Sequence, residues 1–218
     1  MKTLAPRLQK HLDLLLERYP ALESAREEIL GAYLVLEACY ANGGKLLIAG
    51  NGGSAADAEH IAGELMKRFK LPRPVPAPFA EKLKAVDPER GARLAQTLEC
   101  CLPAVPLVAH EAMSTAFGND VDGDGVFAQQ LFGFGRPGDV FLGITTSGNS
   151  RNILLASVVA RAMDMPVIGL TGRKGGKLAE AADVCVKAPS DETYQIQEYH
   201  LPIYHCWCLM LEDRFFGA

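Results

Sequence analysis

Ile144-Thr145-Thr146-Ser147-Gly148-Asn149-Ser150 decides how this chain reads. The apolar run Asp139–Ile144 before it predicts a strand, and the pattern from Asn149 to Met163 predicts a helix. Hydroxyls, a glycine and an asparagine therefore fall where a strand hands over to a helix. A helix start offers free backbone N–H groups and the positive end of its dipole, which suits an anion such as phosphate. A second turn of this kind, Gly50-Asn51-Gly52-Gly53-Ser54, lies between the predicted strand Lys45–Ala49 and the helix Ser54–Phe69. Two phosphate-type turns on one chain point to a sugar-phosphate site.

Working outward, strands and helices keep alternating. Residues 1–42 read as two helices split at Pro20, the second running from Ala21 to Tyr40. Pro72, Pro74, Pro76 and Pro78 predict an extended loop. Glu81–Cys101 reads as one helix, Ala104–Ala109 as a strand, Glu111–Phe117 as a short helix and Gly118–Gly125 as a polar loop. Then come a helix over Val126–Gly133, a strand over Pro166–Leu170, a helix over Gly175–Ala181, a strand over Val184–Lys187 and a long helix over Thr193–Phe216. This alternation predicts an α/β fold with a parallel sheet covered on both faces and ligands at the carboxyl ends of its strands, where both turns lie.

The chain has 218 residues, 49% hydrophobic and 22% charged, with a net charge of −4. That balance excludes nucleic acid as the main partner, and no apolar run spans a bilayer. The N-terminus lacks the apolar core of a signal peptide, so a cytoplasmic location is expected. Lys67, Arg68, Lys70 and Arg73 form a basic cluster that reads either as an anion contact or as a solvated helix end. The six cysteines make no CxxC and are expected to be buried free thiols.

Gly50 to Ala55 also fits the G-x-G-x-x-G/A dinucleotide fingerprint. That reading needs an acid about 20 residues on, and no Asp or Glu occurs between Leu65 and Ala80. Asp120-Val121-Asp122-Gly123-Asp124-Gly125 opens like an EF-hand loop, but Leu131 stands where a bidentate Glu is required. A polar turn presenting Asn119 and Asp120 is the simpler reading. His60 and Glu64 stand four residues apart, on one face of the helix after the first turn. Such a pair can bind a metal or form a supported base, and equally occurs as a plain surface pair. The C-terminal helix carries Gln197, Glu198, His200 and His205, with His200 read as structural. Gln197 and His205 are separated by about 12 Å along a helix axis. One metal takes both only at full stretch, through a bent helix start, or across subunits.

Together these residues resemble the sugar isomerase (SIS) family, specifically the phosphoheptose isomerases. The anchors are Gly50–Ser54, His60 with Glu64, Gly118-Asn119-Asp120, Thr146–Ser150, Leu170-Thr171-Gly172, and Ile196-Gln197-Glu198 followed by His205. The resemblance implies a single flavodoxin-like, three-layer SIS domain over residues 1–218, with residues 1–42 as a helical oligomerisation segment and 79–103 as a helical insertion. It implies a homotetramer with sites at subunit interfaces, no nucleic acid and no membrane, acting on a phosphorylated sugar, sedoheptulose 7-phosphate, to give D-glycero-D-manno-heptose 7-phosphate. Carried over by position, one zinc per subunit would sit among His60, Glu64, Gln197 and His205. Substrate contacts would fall on Asn51, Gly52, Gly53, Ser54, Glu64, Asn119, Asp120, Thr145, Thr146, Ser147, Ser150 and Gln197. In an ene-diol mechanism Glu64 is expected as the base and His205 as the acid. Thr145 replaces a usual Ser, and Tyr194 replaces a usual Asp near the substrate, which bears on heptose specificity. The alternatives are a non-catalytic scaffold similar to the protein that associates with the initiator DnaA, and a sugar-phosphate sensor.

Overall fold

The computed structural model describes residues 4–217. Residues 1–3 of the expected first helix lie outside this range. Among the described residues five strands form one all-parallel sheet: β1 (Leu46–Gly50), β2 (Ala104–Pro106), β3 (Val140–Ile144), β4 (Val167–Gly172) and β5 (Val184–Ala188), in the order β2-β1-β3-β4-β5. β1, β3 and β4 are buried at every position, as strands covered on both faces must be. Successive side chains then serve different layers. Leu46, Ile48, Leu142 and Ile144 pack toward α1 (Pro6–Arg18), α2 (Arg26–Ala41), α3 (Gly53–Met66) and α10 (Thr193–Phe216). Leu47, Ala49 and Phe141 pack toward α7 (Val126–Phe134), α8 (Arg151–Ala162) and α9 (Gly176–Ala181). The result is the three-layer α/β architecture expected from the alternation, with N-terminal helices and a long C-terminal helix.

Strand order reverses between β1 and β3. Gly50 pairs in register with Ile144, so the turns that follow these strands emerge side by side. An open α/β sheet places its ligand crevice at such a switch point.

Several boundaries differ from expectation for local reasons. Pro20 does not simply break the N-terminal helices; it starts a 3-10 turn, Pro20–Ala25. The expected helix over 81–101 is a helical hairpin, α4 (Ala77–Val86) and α5 (Pro88–Thr97). Its break falls at Asp87, whose carboxylate accepts from the Arg90 N–H and caps α5, while Pro88 sits at the first turn where it needs no N–H. For the same reason Pro78 is tolerated at the start of α4, inside the run expected to be extended. The polar loop after α6 (Glu111–Phe117) is wound into a π-helical turn, Gly118–Asp122.

Three members of the basic cluster disperse into ion pairs: Lys67 with Glu64 at 3.0 Å, Arg68 with Glu99 at 3.1 Å, and Arg73 with Glu212 at 2.9 Å. Arg73 is fully buried, contrary to either surface reading. All six cysteines are free; Cys39, Cys185, Cys206 and Cys208 are buried, whereas Cys101 is exposed and Cys100 half-buried beside the root of the hairpin. No described helix is long and apolar enough to cross a membrane.

His200 is structural, as expected. It is fully buried on α10, and its Nε2 lies 3.2 Å from the Thr171 carbonyl, to which it donates. Burial lowers its pKa to about 4. An unfolded chain would bind this proton near 6.5, so stability is complete above that pH and is lost as pH falls from about 6.5 to about 4. Urea unfolding of wild type and His200→Leu at pH 7 and pH 4.5 should show the wild type losing about 2–3 kcal/mol more on acidification than the variant. Equal losses would contradict a neutral, buried His200.

Candidate active site

The first turn leaves β1 through Gly50 and enters α3 at Gly53. Gly52 adopts φ 57°, in the region that favours glycine, and the Ser54 and Ala55 amides close the turn onto the Asn51 and Gly52 carbonyls. A Cβ at Gly53 would stand 2.5 Å from the Gln197 side-chain nitrogen. The missing side chain is therefore what lets α10 bring its Gln197 amide against the turn. Ser54 is buried beneath it.

The second turn follows β3. Thr145 is buried, and its hydroxyl lies 2.8 Å from that of Ser150 and 3.5 Å from that of Ser147. Ser150 stands at the N-cap of α8 without capping it, because its hydroxyl is turned to Thr145. The helix start keeps donors for an anion. Gly148, at φ 68°, packs so tightly on the Gly175 carbonyl that a Cβ would collide with it. Asn149 holds the turn to α9 through a 3.1 Å bond from the Lys177 amide.

The two turns are tied directly. The Asn51 and Asn152 side-chain amides exchange reciprocal hydrogen bonds of 3.0 and 2.8 Å, and Asn152 also accepts from the Ile153 amide at 3.0 Å. Asn152 escaped sequence reading; its only signal was its place one helical step past the hydroxyl-rich run.

α3 and α10 run side by side. Gln197 meets Gly53, Tyr204 meets Asp57 and His60, and Glu212 meets the chain just beyond α3. This pairing brings His60, Glu64 and His205 together. His60 Nε2 lies 3.4 Å from Glu64 Oε1 and 3.4 Å from His205 Nε2. Burial first, and His60 second, lower the His205 pKa, so its ring is neutral at neutral pH. Gln197 does not join them: its amide stands over Gly53, about 10 Å along α3 from His60. Asn119 and Asp120 are exposed and bond to each other at 2.8 Å, with no hydrogen bond to either turn. A 3.2 Å Arg151–Asp124 ion pair moors their segment to the start of α8.

Two cavities flank these groups. One of about 250 Å³ is lined by Thr146, Ser147, Arg173, Lys174 and Thr193. The other, about 170 Å³, is lined by His205 together with His11, Arg18 and Tyr19 of the N-terminal helical region. The phosphate-type turn and His205 thus open onto different cavities of one chain.

Two imidazoles and a carboxylate suit zinc, and ligands of one tetrahedral ion lie about 3.3 Å apart, close to both measured separations. His60 thus stands at about ligand spacing from each of Glu64 and His205. Gln197 does not complete them within the chain, and among the described residues no three His, Cys, Asp or Glu groups form a ready-made metal cluster.

Comparisons with known proteins agree with this fold. The sequence matches the SIS domain family over residues 13–99 and 89–172. It is 40% identical over 176 residues to the phosphoheptose isomerase of Akkermansia muciniphila, covering 81% of this chain and 79% of that one. It is 42% identical over 176 residues to that of Geotalea daltonii, covering 81% and 78%. Among solved structures it resembles the phosphoheptose isomerase of Neisseria gonorrhoeae, with TM-score 0.72, 34% identity and coverage of 97% and 100%. The Francisella tularensis enzyme aligns with TM-score 0.74 and 30% identity over 94% and 96%. Fold and site define a SIS-domain protein with paired phosphate-type turns at the sheet's switch point. Within that class, the chain belongs to the phosphoheptose isomerase family, a family of phosphosugar-isomerising enzymes.

Asn152→Ala should leave stability within about 1 kcal/mol but raise KM for a sugar phosphate by about threefold to tenfold, because the two turns lose their tie. Steady-state kinetics beside a urea titration measures both; an unchanged KM would contradict the role given to this amide pair.

Proposed function

We propose that the protein interconverts sedoheptulose 7-phosphate and D-glycero-D-manno-heptose 7-phosphate through an ene-diol. The observation that carries this reading is the His60–Glu64–His205 cluster, assembled by the same α3–α10 pairing that sets Gln197 against the first turn. In this reading the phosphate docks on Thr145, Thr146, Ser147 and Ser150, with Asn51, Gly52, Gly53 and Ser54 lining the sugar and Asn119 and Asp120 closing over it.

Glu64 takes a proton from C1 of the ketose. The C–H electron pair becomes the C1–C2 double bond, and the carbonyl oxygen gains a proton. Returning a proton to C2 and removing one from the C1 hydroxyl gives the aldose. Glu64 is largely shielded, with its other oxygen 3.0 Å from Lys67, which orients the carboxylate. His205, neutral by burial, serves the oxygens as an N–H donor. His60, Glu64 and His205 are the residues that would hold a zinc ion, with Gln197 able to join only from a neighbouring subunit; when bound, the ion would polarise the sugar oxygens.

We assign the site to the interfaces of a homotetramer. The phosphate-side and His205-side cavities do not merge in one chain, and the apolar Leu14 and Leu201 beside His205 are 45% and 40% exposed. Tyr194, which stands where an Asp is usual and is 60% exposed, bears on heptose specificity more than on isomerase chemistry and makes shorter ketose phosphates the necessary controls.

Incubation with sedoheptulose 7-phosphate in D2O should give aldose carrying deuterium at C2. Glu64→Gln and His205→Ala should each lower kcat by about 10²-fold or more with the fold retained. Binding without conversion would overturn the enzyme reading in favour of a sensor, and near-normal rates in either variant would overturn the residue roles.

A further inference from the structure

The isomerase reading uses Glu64 and His205 but does not say what holds the His60 ring in a useful state. Behind His60, away from Glu64, the Tyr204 hydroxyl lies 3.0 Å from His60 Nδ1 and 3.2 Å from Asp57 Oδ1. Tyr204 is buried on α10, and Asp57 stands one turn before His60 on α3. The second oxygen of Asp57, Oδ2, is buried with no hydrogen-bond partner, so the carboxylate is committed to this contact.

With Asp57 ionised, donor and acceptor counting sets the direction of both hydrogen bonds; burial raises the Asp57 pKa, and the Tyr204 hydrogen bond and His60 oppose that rise. An ionised carboxylate only accepts, so the single Tyr204 O–H donates to Asp57. The hydroxyl oxygen is then left to accept, and its remaining neighbour is His60 Nδ1. A neutral His60 must therefore carry its proton on Nδ1. Its Nε2 lone pair then faces Glu64 Oε1 and His205 Nε2, each 3.4 Å away. Edge-on ring contacts of 5.4 Å from Tyr204 to His60 and 5.1 Å from Tyr204 to His205 fix the orientation of the group.

We propose that Asp57 and Tyr204 are positioning residues that hold His60 as the Nδ1–H tautomer and aim an unprotonated Nε2 into the active site. Two acceptors, His60 Nε2 and Glu64 Oε1, then face one space. That space suits a group bearing positive charge or a polarised proton: a substrate hydroxyl between them, or a metal ion, for which a second hydrogen bond on the far ring nitrogen is the usual support. The catalytic meaning of this arrangement rests on the isomerase reading, while the tautomer itself does not.

The direct test is ¹⁵N–¹H long-range NMR on histidine-labelled, chelator-treated full-length protein at pH 8, with His60 assigned by its absence in His60→Gln. The wild type should show His60 protonated at Nδ1. Tyr204→Phe keeps the ring packing and removes only the hydroxyl; it should move His60 toward the Nε2–H form, and Asp57→Asn should give an intermediate mixture. Loss of the Tyr204 hydroxyl should also lower kcat by about tenfold or more with KM for sedoheptulose 7-phosphate within about twofold. Nε2–H protonation in the wild type, or an unchanged tautomer in Tyr204→Phe, would overturn the proposal. Should the wild type prove inactive on the sugar, the isomerase reading fails, and the NMR result still decides the tautomer by itself.

Discussion

Gly50 stands opposite Ile144 across the β1–β3 ladder, and the site depends on that register. Both strands are buried along their whole length, so neither can slip by one residue without exchanging the layers its side chains serve. With the register held, two turns reach the carboxyl edge together, and Asn51 and Asn152 meet across the crevice. The close approach of Gly148 to Gly175, and of Gly53 to Gln197, follows from the same placement. Glycine at position 148 is a requirement of packing against backbone, whereas at position 53 it leaves room for the end of the Gln197 side chain.

A second constraint joins α3 to α10. Glu212 accepts from the Phe69 and Lys70 amides, each at 2.8 Å, and from Arg73, whose guanidinium also bonds the Leu65 and Glu64 carbonyls at 2.8 and 3.3 Å. The pair is fully buried. Burying two charges costs several kcal/mol per ion before pairing, and here nearly every lone pair and proton finds a partner, which is the condition under which such a pair holds. Arg73 thereby ends the helix that carries Glu64 and pins it to the helix that carries His205. The buried salt bridge sits behind the chemistry and sets the spacing in front of it.

Much of this was legible in the sequence. Apolar runs followed by Gly- and Ser-rich turns gave β1, β3 and the helices after them, because a strand buried on both faces has few ways to be written. His60 and Glu64 were legible because four residues make one helical turn. What escaped was long-range or compensated. Asn152, Tyr204 and Asp57 acquire their roles only through partners about a hundred or more residues away. Arg73 read as part of a surface basic cluster because nothing local reveals that Glu212 waits for it. The break in the 77–97 hairpin was present as Asp87-Pro88, an N-cap followed by a residue suited to a first turn, inside an otherwise continuous helical pattern. The distance between Gln197 and His205 was legible from their eight-residue spacing, and Gln197 lies over Gly53, away from His60.

The central claim is that the turn after β3 holds the phosphate and the turn after β1 lines the sugar, while the α3–α10 pair presents Glu64 and His205 to the other end of that sugar. A crystal structure of Glu64→Gln with sedoheptulose 7-phosphate tests it most directly. The account predicts phosphate oxygens within hydrogen-bond distance of the Ser147 and Ser150 hydroxyls and the α8 amides, with C1 and C2 of the sugar beside residue 64 and His205. Phosphate bound on Arg173 and Lys174 away from that turn, or a sugar whose C1 and C2 point away from residue 64, would contradict it.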